Sequence, residues 1–290
     1  MRLRVLALAV LLTGCATANH SEGRQAPSAA PPPADFPVSA SPRPIVLIGP
    51  MLEVVDGFRD GDEKLGSASG AFEFAGLLPA TPEPAAVTLP DGPTTVTFIG
   101  PADALRAMAA QAGGPKATPP GTTPLFTTGP DTAPPNPTPA PPAVKLVAAE
   151  FGAAEFPTDR GPWTLPAWRF TTEAGSVVAW PALPPAAFWK PGEVRPAIVS
   201  GPATGGGTEL TVTMASPPYP CLGDEPARNE PVVAETDTAV TVTLRTIGEV
   251  GDCPRTLALM TEPYQVKLAK PLGNRLLVDD QGGVIAVTTR

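Results

Sequence analysis

Two proline-rich tracts limit what this chain can fold into. Residues 16–43 hold six prolines in 28 positions, and residues 114–143 hold eleven in 30. Proline fixes φ and removes a backbone donor, and neither tract has the periodic apolar residues with which a helix or strand buries a face. Such segments bury too little apolar surface to offset the entropy lost on ordering. The sequence therefore predicts a disordered tether over residues 15–43 and a disordered insert over 114–143, whose threonines are either O-glycosylated or unmodified.

The N-terminus has the pattern of a secretory leader. Arg2 and Arg4 precede an apolar run of eight residues, far shorter than the about 20 that span a membrane. The run ends at Leu12-Thr13-Gly14-Cys15, which resembles the lipobox of bacterial lipoproteins. The resemblance implies a signal peptide over residues 1–14 and a lipid such as palmitate on Cys15, which would anchor the protein to the extracytoplasmic face of the cell membrane. The alternative is an ordinary leader with a cysteine there by chance.

Charge and histidine content argue against several functions. The chain has 20 Lys+Arg against 28 Asp+Glu, and this net charge of −8 disfavours nucleic acid and anionic membrane surfaces as partners. The single histidine, His20, lies within the predicted tether. Without imidazole, a folded domain lacks Ser-His or Cys-His activation and His-ligated zinc. We therefore expect no cofactor, no metal site, no catalytic residues and a non-enzymatic role.

Cys221 and Cys253 remain once Cys15 is assigned to the lipid. Outside the cytosol, two such cysteines are expected to form a disulfide. The bridge would close a loop of about 33 residues and stabilise the fold by roughly 3.7 kcal/mol. A reactive thiol is the alternative, but neither cysteine has a nearby histidine or a CxxC partner. The sequence favours a structural disulfide.

Residues 44–198 are predicted to form a mixed β domain with one short helix. Apolar and alternating segments indicate strands at 45–48, 144–151, 163–171 and 177–180, with a hairpin around Asp91-Gly92. Pro101 is typical of a helix start, and apolar residues follow at helical spacing until Gly113-Gly114: Leu105, Met108, Ala109 and Ala112.

Residues 199–290 are predicted to form a small antiparallel β domain. Apolar and polar residues alternate along 209–214 and 239–244, and apolar segments recur at 266–268, 276–278 and 284–287. With one disulfide, about 90 residues suffice for a domain. The predicted fold class is therefore mostly β, in two domains behind a leader and a tether.

Aromatic residues supply the candidates for ligand binding. Four tryptophans fall within 27 residues: Trp163, Trp168, Trp180 and Trp189. Tryptophans on strands stack on sugar rings or anchor interfaces, and the alternative is that they supply bulk to the core. Tyr219 lies in Pro217-Pro218-Tyr219-Pro220-Cys221, a stiff loop that is either a recognition tip or a rigid connector.

Carboxylates support a competing enzymatic hypothesis. Four of them crowd residues 56–63, but their spacing does not match an EF-hand, so a solvated acidic turn is favoured over a calcium loop. A glycan hydrolase needs two carboxylates and no histidine. The residues available for that chemistry are Asp56, Asp60, Asp62, Glu63, Asp224 and Glu225. Nothing in the sequence places two of them across a cleft.

Two further segments resemble known proteins. Residues 160–171 and 270–279 are similar to stretches of uncharacterised secreted lipoproteins of high-GC Gram-positive (actinobacterial) bacteria, and 14 Arg against 6 Lys fits such a genome. This resemblance implies a location in the envelope and no activity. We therefore expect a lipid-anchored cell-envelope protein that binds cell-wall glycan or envelope proteins. The alternatives are a carboxylate-based wall hydrolase and a structural spacer.

Overall fold

The computed structural model describes residues 33–112, 142–197, 201–254 and 258–288. The predicted leader, Cys15 and nearly all of the predicted insert lie outside these ranges. Within them, neither helix combines the length and hydrophobicity needed to cross a bilayer.

The first half of the fold is built on a five-stranded sheet. Its elements in chain order are β1 (Glu53–Val55), α1 (Gly61–Ser69), β2 (Phe72–Phe74), β3 (Ala85–Leu89), β4 (Gly92–Val96), α2 (Pro101–Ala112), β5 (Val144–Thr158), β6 (Gly161–Thr172) and β7 (Val177–Pro181). The sheet order is β1-β7-β6-β5-β2, and β3 with β4 forms a separate hairpin. All pairs are antiparallel except β2 with β5. The predicted hairpin and the three predicted strands after the insert are therefore present, with β5 longer than expected.

Helix α2 begins at Pro101 and has the predicted extent. Its buried residues are Pro101, Ala104 and Met108, whereas Ala109 is exposed, so the buried face is rotated relative to the predicted one. The side chain of Gln111 accepts a hydrogen bond of 3.1 Å from the backbone N–H of Met51. This contact fixes the last turn of the helix against the segment before β1.

Two local elements differ from the sequence prediction. Residues 61–69 form helix α1 where an acidic turn was expected, because the side chain of Asp60 caps the first turn and Gly70 ends the helix in a left-handed conformation at φ 74°. Residues 45–48, predicted as a strand, make only isolated bridges, from Ile45 to Phe188 and from Leu47 to Thr158.

The second half consists of two small sheets. Its strands are β8 (Ala203–Gly206), β9 (Glu209–Ala215), β10 (Arg228–Glu235), β11 (Ala239–Ile247), β12 (Thr261–Lys267), β13 (Leu276–Val278) and β14 (Val287–Thr288). They assemble in the orders β12-β9-β8-β14 and β10-β11-β13. The predicted antiparallel pairing holds for β8–β9, β9–β12 and β10–β11, whereas β11–β13 and β8–β14 are short parallel pairs. The parallel pairs arise where the chain changes sheet. The loop after β12 leads to β13 in the sheet of β10 and β11, and the loop after β13 leads back to β14 in the sheet of β8, β9 and β12.

Residues 33–43, assigned to the tether from the sequence, are packed against both halves. Phe36 and Arg43 are 2% and 4% exposed. The Arg43 guanidinium forms an ion pair with Asp159 and donates from Nε to the carbonyl of Asn274 at 3.0 Å. The carbonyl of Asp159 accepts from the N–H of Val287 at 2.9 Å. We call these contacts of Arg43, Asp159, Asn274 and Val287 the junction, because they join the N-terminal segment to both halves of the fold.

Candidate functional site

The four tryptophans are structural residues of the apolar clusters. Trp168 and Trp180 are buried, and Trp168 donates from Nε1 to the carbonyl of Ile99 at 2.8 Å. Trp163, half-buried, donates to the carbonyl of Thr88 at 3.2 Å. Trp189 packs edge-on against Phe36, at 5.2 Å between centroids. The tryptophans therefore connect strands to neighbouring segments, and the structure does not bring them together as an exposed stacking platform.

Tyr219 instead lies in a disulfide-closed surface that we call the tip, residues 216–227, 248–254 and 258–260. Two loops form it, one after β9 and one after β11. The predicted bond between Cys221 and Cys253 joins them, with their Cα atoms 5.9 Å apart. Between the loops is a pocket of about 370 Å³, lined by Ser216, Pro217, Pro218, Tyr219, Pro220, Cys253, Pro254, Ala258, Leu259 and Met260. Prolines and the disulfide restrict the backbone around this pocket.

Several of the large apolar side chains that are exposed in the described part of the chain lie on the tip. The exposed fractions are 106% for Leu222, 66% for Tyr219, 58% for Leu259, 50% for Met260 and 47% for Val250. Single exposed apolar residues are normal, but several beside one pocket mark an interaction surface. Leu222, Leu259 and Met260 were missed from the sequence. The one sequence feature that could have indicated them is the recurrence of apolar residues on Pro-rich loops next to the two cysteines.

The two loops of the tip also carry acidic residues. Asp224, Glu225, Glu249 and Asp252 are all exposed, and the described residues of the tip include no Lys or Arg. Arg255 lies outside the described residues; when it is counted, residues 216–227 and 248–260 together have a formal charge of −3. The tip therefore combines an apolar pocket with four exposed carboxylates on the same loops, which we call the rim.

The base of the tip is held by hydrogen bonds to the carbonyl of Ala215. Asn229 donates from Nδ2 and Tyr264 from its hydroxyl, both at 3.0 Å. Tyr264 also contacts the Glu262 carboxylate at 2.6 Å. Burial and the hydrogen bond to Glu262 together raise the pKa of Tyr264 to about 12, since both favour the neutral phenol.

We expect this raised pKa to be visible in an alkaline titration. The chain has two tyrosines, so absorbance near 295 nm should show a step near pH 12 that Tyr264→Phe removes and Tyr219→Phe retains. The stabilisation by the neutral phenol is complete below the ordinary pKa of 10.0 and is lost as the pH rises through about 12. The free energy of unfolding should therefore fall more steeply over that interval in the wild type than in Tyr264→Phe. Equal slopes would contradict the assignment.

The carboxylates considered for hydrolysis fall into two groups on separate elements of the fold. Asp60, Asp62 and Glu63 line one pocket, where Asp60 caps α1 and Glu63 is buried and accepts from the Ser176 hydroxyl at 2.6 Å. Asp224 and Glu225 lie on the tip. No group of three or more potential metal ligands occurs in the part of the chain that the structure describes.

Among the described residues, one carboxyl outside that set has a raised pKa. Burial raises the pKa of Glu53, and the charge of Glu155 raises it further. A raised pKa indicates an active site only where a cleft brings substrate to the group. Neither residue lines the tip pocket, so we assign this pair no catalytic role.

Comparison with family models, curated proteins and solved structures finds no significant match to this chain. The chemistry of the tip is therefore the basis for a functional proposal.

Proposed function

We propose that the protein is a lipid-anchored cell-envelope protein that binds a partner protein through the tip. The observation that carries this proposal is the set of exposed apolar side chains on the two loops that the disulfide joins, above all Leu222, Leu259 and Met260, the last two of which line the pocket. Water-exposed apolar groups beside a pocket gain free energy when a partner covers them. The disulfide lowers the entropic cost of binding because the two loops are already joined.

The lipobox-like motif at Cys15 supports the anchor. Lipid chains contribute about 0.8 kcal/mol per buried methylene, so a multiply acylated cysteine holds a protein on a membrane. Residues 16–32 would link the lipid to the packed segment that begins at residue 33. The tip would then be presented outside the membrane surface.

Binding to a protein is favoured over the alternatives by the placement of the candidate residues. A glycan platform would need exposed tryptophan faces, but Trp168 and Trp180 are buried. A hydrolase would need two free carboxylates across a cleft, whereas Asp60 and Glu63 are engaged in a cap and a buried hydrogen bond. A purely structural spacer gains nothing from exposed apolar residues.

Site-specific photo-crosslinking in cells tests this proposal. p-Benzoylphenylalanine in place of Leu222 should give a discrete adduct of higher mass. The same group in place of Leu77, which is 96% exposed but lies outside the tip, should give none. Absence of an adduct from position 222 would overturn binding through the tip.

The anchor is tested in the same cells. Cys15→Ser should move the protein from the membrane fraction to the medium and remove labelling by a clickable fatty acid. A variant that stays with the membrane would contradict lipid anchoring and leave the crosslinking result unaffected.

A further inference from the structure

We propose that the tip binds a basic segment of its partner, one in which lysine or arginine flanks apolar side chains. This inference rests on the proposed binding function and adds the chemistry of the partner. It follows from the charge of the two loops, from the absence of ion pairs to their carboxylates among the described residues and from the apolar lining of the pocket.

Within the described part of the chain, no cation neutralises the rim charges. The nearest strand arginines, Arg228 and Arg245, both form ion pairs with Glu230, at 3.0 and 3.1 Å. Among the described residues, no ion pair joins a cation to any of the four rim carboxylates. The rim carboxylates can therefore attract a cation on an approaching partner. Opposite charges on two binding surfaces speed and orient their association.

The apolar centre requires more than a bare cation. A pocket of about 370 Å³ between Tyr219, Leu259 and Met260 can take an apolar side chain, and the exposed Leu222, which follows Cys221 on the same loop, offers further contact area. An apolar residue in the pocket with cations toward the rim satisfies both features at once.

The same charges argue against the other occupants of an apolar tip. An anionic lipid surface would be repelled, and insertion into neutral lipid would require desolvation of the carboxylates. A second copy of the chain that docked tip to tip would place two acidic rims against each other. A basic protein segment is the occupant that the charges favour.

A pair of model peptides tests the inference on the mature chain, residues 15–290 with Cys15→Ser. The fluorescein-labelled peptides have equal length and leucine content, and one carries lysine where the other carries glutamate. Exposed ion pairs contribute about 0.2–1 kcal/mol each, so three of them predict binding of the lysine peptide roughly ten-fold tighter. The difference should shrink from 50 mM to about 500 mM salt, because screening weakens exposed pairs.

Two variants with the same net charge locate the effect. Glu225→Gln/Glu249→Gln/Asp252→Asn, the rim-neutral variant, removes three of the four rim carboxylates, which brings the formal charge of the two loops to zero, and should abolish the preference for lysine. Glu73→Gln/Glu83→Gln/Glu193→Gln neutralises three exposed carboxylates away from the tip and should retain it. A lack of preference in the wild type, an equal loss in both variants, or binding of the wild type to phosphatidylglycerol vesicles would overturn the inference.

The crosslink at position 222 distinguishes a failure of this inference from a failure of the proposed function on which it rests. An adduct that forms in the wild type and disappears in the rim-neutral variant supports both. An adduct that persists in that variant overturns the basic partner and leaves binding through the tip intact. The absence of any adduct overturns the proposed function itself.

Discussion

Arg43→Ala is expected to lower the free energy of unfolding by about 3 kcal/mol, because it removes the closer of two cations from the buried carboxylate of Asp159 and leaves only Arg160, whose Nε lies 3.6 Å away. The side chains of Arg43 and Asp159 are 1% and 4% exposed. Removing the guanidinium also leaves the carbonyl of Asn274 without its donor. Urea denaturation followed by tryptophan fluorescence measures the change.

The matched control is the exposed pair of Arg106 and Asp103 on α2. Their side chains are 75% and 58% exposed, so Arg106→Ala should cost less than about 1 kcal/mol. A loss at Arg43 no larger than that at Arg106 would show that the junction contributes nothing to stability.

A second variant keeps this prediction testable if Arg43→Ala fails to fold. Replacing both partners, as Arg43→Met/Asp159→Leu, removes both charges from the buried site, and apolar replacements of buried pairs are often neutral or stabilising. The double variant should therefore be more stable than Arg43→Ala. The reverse order would show that the remaining interaction of the Asp159 carboxylate, with Arg160 at 3.6 Å, outweighs the cost of burying that carboxylate without Arg43.

The junction also shows where sequence-based prediction fails. Arg43 and Asp159 are 116 residues apart, and Arg43 and Asn274 are 231 apart. No periodicity or spacing indicates such contacts. Proline content and the lack of apolar periodicity placed residues 33–43 in the tether, but the ring of Phe36 lies 4.7 Å from the Arg43 guanidinium and both are buried.

Elements with strong local signals were predicted well. Helix α2 follows from Pro101 and its apolar spacing, the β3–β4 hairpin from Asp91-Gly92, and the disulfide from the cysteine count. Helix α1 was missed because Leu65 is its one large apolar residue. Its signal was instead a capping pattern, Asp60 followed three positions later by Glu63.

The tip was predicted only in part, for a similar reason. The proline-flanked Tyr219 and the two cysteines were recognised, but the sequence does not show that Leu222, Leu259 and Met260 are exposed around one pocket. Alternating apolar residues normally indicate a buried face, so exposure becomes visible only when the pairing of strands is known. The proposed function therefore depends on the least predictable class of residue, apolar side chains on irregular loops.

Removing the disulfide with Cys221→Ala/Cys253→Ala is expected to lower the free energy of unfolding by roughly 3.7 kcal/mol. The two cysteines are 32 residues apart, and opening this loop restores conformational entropy to the unfolded chain. Urea denaturation again measures the change. Reducing agent should destabilise the wild type by a similar amount and leave the double variant unaffected, which separates loss of the bridge from loss of cysteine packing.

The double variant also connects stability with the proposed function. The disulfide holds the loops that carry Leu222 and Leu259 to one pocket, so its loss should weaken the crosslink at position 222 even under conditions where the protein remains folded. Arg43→Ala, tested under conditions where it remains folded, should leave that crosslink intact, because the junction contributes no residue to the tip. A crosslink of unchanged yield without the disulfide would show that the partner binds one loop alone. In that case the bridge stabilises the fold without organising the binding surface.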